Sequence, residues 1–144
     1  ELVRAVCSIP GPDILRLFDA IVFNALIGNC DAHAKNFSLL RDEGSVRLAP
    51  LYDLVSTSAY PALASELAMK IGDERSPLRL TAKNWRLFFE QAGIGQAQAR
   101  QRTLALSNRV LEATDKLAHD NCPGAATIAP IVRELCSRLH AVRW

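Results

Sequence analysis

The densest run of apolar positions lies at Ile14, Leu15, Leu17, Phe18, Ile21, Val22, Phe23, Ala25, Leu26 and Ile27. A helix that is apolar nearly all round is covered on every side, so this run predicts a central, buried helix. Gly11-Pro12-Asp13 marks its start, because proline is pre-organised for a first turn and an early acid meets the positive end of the helix dipole. Gly28-Asn29 marks its end, since both residues tolerate left-handed backbone angles. Residues 1–9 show no clear period.

The pattern then shortens. Phe37–Leu40 reads as a short strand, residues 42–45 as a turn and Val46–Leu48 as the return strand, which Pro50 ends. A hairpin brings the chain back to where it began, so Asp53 is expected beside Asn36. Residues 55–66 read as a loop with one short turn, and Leu67–Ile71 as a short apolar segment before a Gly72-Asp73 turn. Three helical stretches follow. Thr81 caps the first, which runs to Ala92 with Trp85, Phe88, Phe89 and Ala92 on one face. The second spans Gln96–His119, with Ala97, Leu104, Val110, Leu111 and Leu117 as anchors. The third spans Thr127–Val142, with Ile128, Ile131, Val132, Leu135, Cys136 and Leu139 at helical spacing. The expected fold is mainly α, with one small β-hairpin.

Composition narrows the class. The chain has 144 residues, 49% of them hydrophobic, which suits one domain or lobe with a real core. No uncharged apolar run approaches the ~18 residues of a membrane span, and no secretory signal is visible. The net charge of +2 is too small to argue for nucleic acid. It is uneven: residues 1–72 carry −2 and residues 73–144 carry +4, which reads as solvated helix faces before it reads as a docking surface. The four cysteines show no C-x-x-C or zinc-finger spacing, so reduced thiols in a cytoplasmic protein are expected.

Candidate chemistry concentrates in residues 28–58. Asp31, His33, Lys35 and Asn36 fall within six positions, and Asp53 follows between hydrophobic residues. An Asp, an Asn five residues later and a second Asp beyond make the skeleton of a phosphoryl-transfer site. The first Asp can accept the proton of an attacking hydroxyl; the Asn and second Asp offer hard oxygens to magnesium. No glycine loop able to cover a nucleotide's phosphates is visible, and the chain begins without Met. It reads as part of an enzyme.

These segments resemble a family. Asp31-Ala-His33-Ala-Lys35-Asn36-Phe37-Ser38, then Pro50-Leu-Tyr52-Asp53, then Leu67-Ala-Met69-Lys70-Ile71-Gly72 are similar, in order and spacing, to the C-terminal lobe of HipA-type kinases. These are bacterial serine/threonine kinases, the toxins of toxin–antitoxin pairs. The resemblance is dense over residues 18–72 and diffuse over the C-terminal helices. It implies a kinase-like helical lobe over residues 1–144, with catalytic and metal loops at 28–58, a helical bundle at 81–144, and the nucleotide-loop lobe lying upstream, outside this chain. It implies ATP and Mg2+ as cofactors and a protein hydroxyl as acceptor, for which family precedent is an aminoacyl-tRNA synthetase. It implies a helix-turn-helix antitoxin of HipB type as partner, with DNA met mainly through that partner, and no membrane.

By the same resemblance Asp31 is the catalytic Asp, Asn36 and Asp53 are the metal ligands, and Lys35 and His33 are the candidates to stabilise phosphoryl oxygens. The Phe-Gly that follows the metal Asp in other protein kinases is here Leu54-Val55. Ser56-Thr57-Ser58 stands in the place of an activation segment, where phosphorylation would add charge. Cys30 is expected to pack. Without its nucleotide loop the fragment is expected to turn over no ATP alone. A scaffold that binds an antitoxin-like partner is one alternative. A small-molecule phosphotransferase is another, although such enzymes usually carry a His where this chain has Asn29.

Overall fold

The structure, a computed structural model, describes residues 1–144. Its elements in order are α1 (Leu2–Val6), α2 (Pro10–Leu26), β1 (Leu39–Asp42), β2 (Ser45–Leu48), α3 (Ala82–Ala92), α4 (Gln96–His119) and α5 (Ala125–His140), with 3-10 turns at Ala34–Asn36 and Thr57–Ala59. The helices expected after residue 80 are present, with α4 at its expected bounds. The short α1 occupies a stretch where no period was legible.

Helix α2 is central because its apolar surface is met from several sides. Phe18, Val22, Ala25 and Leu26 sit in the main core, while Ile14, Leu15, Ile21, Phe23 and Ile27 pack around its edge. Helix α3 brings the aromatic half of that core. Phe18 stacks on Phe88 at 5.2 Å between ring centroids, and Trp85, Phe89 and Trp144 continue the cluster. Thr81 and Asn84 form a reciprocal capping box, so the helix start is pinned by its own side chains. Gly93 at φ +66° ends it.

Helix α5 buries the Val132, Leu135, Cys136 and Leu139 face that its spacing predicted, whereas α4 departs from expectation in part. The buried row on α4 is Ala99, Thr103, Ser107 and Val110, whereas Ala97 and Leu117 are exposed. Small side chains let α4 lie close against its neighbours, and α5 answers with Val132, Leu135, Cys136 and Leu139. Arg102 also reaches from α4 to Asp19 on α2 with two hydrogen bonds of 2.5 and 2.7 Å. Burial raises the Cys136 thiol pKa, so it packs as a small hydrophobe. No helix is long and apolar enough to cross a membrane.

The hairpin is antiparallel, with Leu39 opposite Leu48 and Asp42 opposite Ser45. Its tight turn places Glu43 at φ +41° and Gly44 at φ +83°. An ion pair fastens β2 to α2. Asp13 is fully buried, and Arg47 Nε donates to its Oδ2 at 2.8 Å while Nη2 donates to Oδ1 at 3.2 Å. Arg16 Nη1 donates to the Leu48 carbonyl at 3.0 Å. Asp13, read from sequence as a helix-dipole acid, is thus also an anchor for the hairpin.

Candidate active site

The site begins where α2 stops. Gly28 takes φ +68°, turning the chain out of the helix into residues 29–33. A Cβ at Gly28 would lie 2.7 Å from Ser58 Oγ and 2.9 Å from Ser58 Cβ, so only glycine fits this approach. Asp31 is exposed, and His33 Nε2 lies 3.4 Å from its Oδ1. The short turn Ala34–Asn36 then carries Lys35 outwards and Asn36 inwards.

The hairpin closes the site. Ala49 N–H donates to the Ser38 carbonyl at 2.9 Å, continuing the pairing beyond the start of β1 and the end of β2. The Tyr52 hydroxyl donates to the Lys35 carbonyl at 2.9 Å and lies 2.9 Å from Ser38 Oγ, so the return strand is laced to the outgoing loop. Asp53 follows, and Asn36 Nδ2 donates a hydrogen bond to its Oδ2. The hairpin thus places Asp53 beside Asn36. Asp53 takes φ +57°, a left-handed conformation that costs any residue but glycine some strain, though Asp tolerates it better than most.

A second set of bonds holds the segment after Asp53. The Gly28 carbonyl accepts from Ser58 N–H at 3.0 Å, Ser58 Oγ at 2.9 Å and Thr57 Oγ1 at 3.2 Å. Thr57 Oγ1 in turn accepts from Cys30 N–H at 2.8 Å. In this structure Ser56 and Thr57 are shielded from solvent, and the Thr57 and Ser58 hydroxyls serve the loop. Cys30 is buried, as expected of a packing residue, and its carbonyl accepts from Ala68 N–H at 3.0 Å. That bond ties the Leu67–Ile71 segment to the loop.

Asp31, His33, Asn36 and Asp53 thus share one exposed loop cluster, with Lys35 on its outer side. Asn36 and Asp53 lie side by side and each carries an oxygen that could hold a hard cation; here the Asn36 amide turns its Nδ2 to Asp53, so holding a cation would require that amide to turn its Oδ1 inwards. Asn24 and Asn29, both buried beneath the loop, were not singled out as site residues from sequence. Their signal was visible: Asn24 is a polar residue inside the apolar run of α2, and a buried amide needs partners.

Comparison with known proteins follows the same lines. The family described as HipA-like C-terminal domain matches residues 1–118. The protein named "Putative kinase Y4mE" of Sinorhizobium fredii is 42% identical over 120 residues, 83% of this chain and 29% of that protein. The "Serine/threonine-protein kinase toxin HipA" of Shewanella oneidensis is 37% identical over 87 residues, 60% of this chain and 19% of that protein. Among solved structures, a toxin–antitoxin complex of HipA, HipB and operator DNA from Shewanella oneidensis superposes with a TM-score of 0.83 at 26% identity, covering 98% of this chain and 34% of that one. The chain spans about a third or less of the length of each of these relatives.

Proposed function

The chain belongs to the HipA-like C-terminal domain family, and from that premise we propose that it is the catalytic lobe of an ATP-dependent serine/threonine protein kinase. The observation that carries the reading is the meeting of Asn36 and Asp53 across the base of the hairpin, with Asp31 on the same loop.

Asp31 is the general base in this reading. Its carboxylate is exposed and can accept the proton of an acceptor Ser or Thr hydroxyl as the hydroxyl oxygen bonds to the γ-phosphorus. The bond from that phosphorus to the bridging oxygen breaks, and ADP leaves with the electron pair. His33, 3.4 Å from Asp31, orients the carboxylate. Lys35 projects from the outer side of the loop, where its charge can meet a phosphoryl oxygen. Asn36 and Asp53 would hold Mg2+, which supplies positive charge to the phosphates.

No loop able to cover a nucleotide's phosphates is legible in these 144 residues, so in this reading the lobe alone is expected to be inactive. A Ser or Thr hydroxyl as acceptor and a HipB-like antitoxin with DNA are extended to this chain from the names of its relatives, and a cytoplasmic location and DNA contact through the antitoxin are part of the same reading. The solved relative is itself a complex with HipB and operator DNA. An aminoacyl-tRNA synthetase is the acceptor that family precedent suggests.

The test is phosphate incorporation from ATP and Mg2+ by the intact protein, with lysate proteins as acceptors. Incorporation lost in both Asp31→Asn and Asp53→Asn supports the reading. A folded wild type that transfers nothing overturns it.

A further inference from the structure

Asn29 lies two residues before Asp31 and is 1% exposed. Each polar atom of its side chain is engaged. Nδ2 donates to the Asp53 carbonyl at 3.0 Å and to Asn24 Oδ1 at 2.8 Å, while Oδ1 accepts from the Asp31 N–H at 3.2 Å. The amide has only one workable orientation. The Asp31 N–H can only donate and the Asp53 carbonyl can only accept, so the oxygen must face the first and the nitrogen the second. Asn24 is fixed in turn, its own Nδ2 donating to the Ala20 carbonyl of α2 at 2.9 Å.

We infer that Asn29 is a positioning residue: one buried amide sets the spacing between the backbone of Asp31 and the backbone of Asp53, and refers both to α2. This deepens the kinase reading and rests on it. Asp53 is the group that most needs such a tie, because its backbone is held in the left-handed region at φ +57°. A hydrogen bond to its own carbonyl opposes relaxation from that conformation. The carboxylate is then presented to Asn36 in one place rather than several. Asn24 supports the amide but touches neither Asp31 nor Asp53 through its side chain. The two asparagines can therefore be separated by experiment: both lie in the fold, yet only one spans the two acids.

The intact protein and its Asn29→Ala, Asn29→Ser and Asn24→Ala variants would be compared by thermal midpoint and by Mn2+ binding, read from electron paramagnetic resonance of the free ion with a non-hydrolysable ATP analogue present. Loss of a residue that orients a metal ligand weakens the metal by about 10- to 100-fold. That range is expected for whichever Asn29 variant folds. Asn24→Ala is expected to lower the midpoint comparably and shift Mn2+ affinity by less than about threefold. A parallel loss of Mn2+ affinity in Asn24→Ala, or wild-type affinity in a folded Asn29 variant, overturns the positioning role alone. If no Asn29 variant folds, the role is purely structural and the inference is overturned. A wild type that neither binds Mn2+ nor transfers phosphate removes the kinase reading, and the positioning role with it.

Discussion

Arg47 Nε lies 2.8 Å from Asp13 Oδ2, joining strand β2 to the first turn of α2 across 34 positions of sequence. The hydrogen bond from Arg47 is the main reason the Asp13 carboxyl titrates below its ordinary value of 3.8, against a burial that pushes it up. Asp13 also raises the Cys7 thiol, which burial has already pushed up.

The pair makes stability depend on pH in a defined direction. A carboxyl whose folded pKa is depressed contributes stability that is complete above about pH 4 and lost as pH falls through its folded value. Arg47→Met leaves the buried carboxylate with Arg16 Nη1 at 3.7 Å but without its two hydrogen bonds from Arg47, so the thermal midpoint is expected below wild type at pH 7. Without the Arg47 hydrogen bond, burial pushes the Asp13 carboxyl of the variant up, so the gap narrows as pH falls from that raised value through the depressed folded value of the wild type. A gap that stays constant from pH 7 to pH 3 would show that the pair does not act through charge.

Asp31→Asn is expected to lower phosphoryl transfer by about 10²- to 10⁴-fold in the intact protein, the usual worth of a general base. Its side chain is 66% exposed, so the thermal midpoint is expected to stay at the wild-type value. Steady-state kinetics beside a melting curve checks both halves of the statement.

Asp53→Asn and Asp53→Ala are expected to abolish transfer alike yet differ in stability. Asn tolerates the left-handed backbone at φ +57°, whereas Ala there costs about 1 kcal/mol more. Urea unfolding separates them: equal midpoints for the two variants would show that the backbone relaxes when the carboxylate is removed.

Gly28→Ala forces its Cβ onto Ser58, whose own Cβ would lie 2.9 Å away, in a left-handed conformation. The expected loss is about 2–3 kcal/mol, with the bonds from Thr57 and Ser58 to the Gly28 carbonyl weakened. Gly11→Ala is the control. No residue other than its chain neighbours lies within 4 Å of its added Cβ, although Pro12 disfavours helical backbone for a preceding residue with a Cβ, so a loss smaller than that of Gly28→Ala is expected. Denaturant midpoints of the two variants report the contrast.

Much of this was legible in the chain because the signals were local. Helix α2, the cap at Thr81 and the turn at residues 42–45 each depend on residues a few positions apart. The meeting of Asn36 with Asp53 was legible too, since a short hairpin leaves its ends nowhere else to go. The anchors of α4 were legible only in part: Val110, Leu104 and Leu111 meet the core as expected, and Ala97 and Leu117 do not. Ala97 and Leu117 carry the apolar pattern, but the face that packs is chosen by α2 and α5, which accept the small row Ala99–Thr103–Ser107. The roles of Asn29, Thr57 and Arg47 were hidden for a related reason: a side-chain hydrogen bond over 24 to 34 positions leaves no periodic trace.

The tip of the hairpin has a consequence for how this lobe can vary. Glu43 and Gly44 are exposed, and nothing lies within 4 Å of where a Cβ on Gly44 would stand. The alignment of the acids is set at the opposite end, by the Ala49–Ser38 bond and the Tyr52 hydroxyl. Length added between Glu43 and Gly44 lengthens a loop whose closure cost rises only slowly, about 0.6 kcal/mol per doubling, without shifting the base by a residue. The hairpin is therefore a free dimension of the lobe, open to insertions, peptide tags or new contact surfaces while the chemistry stays in register.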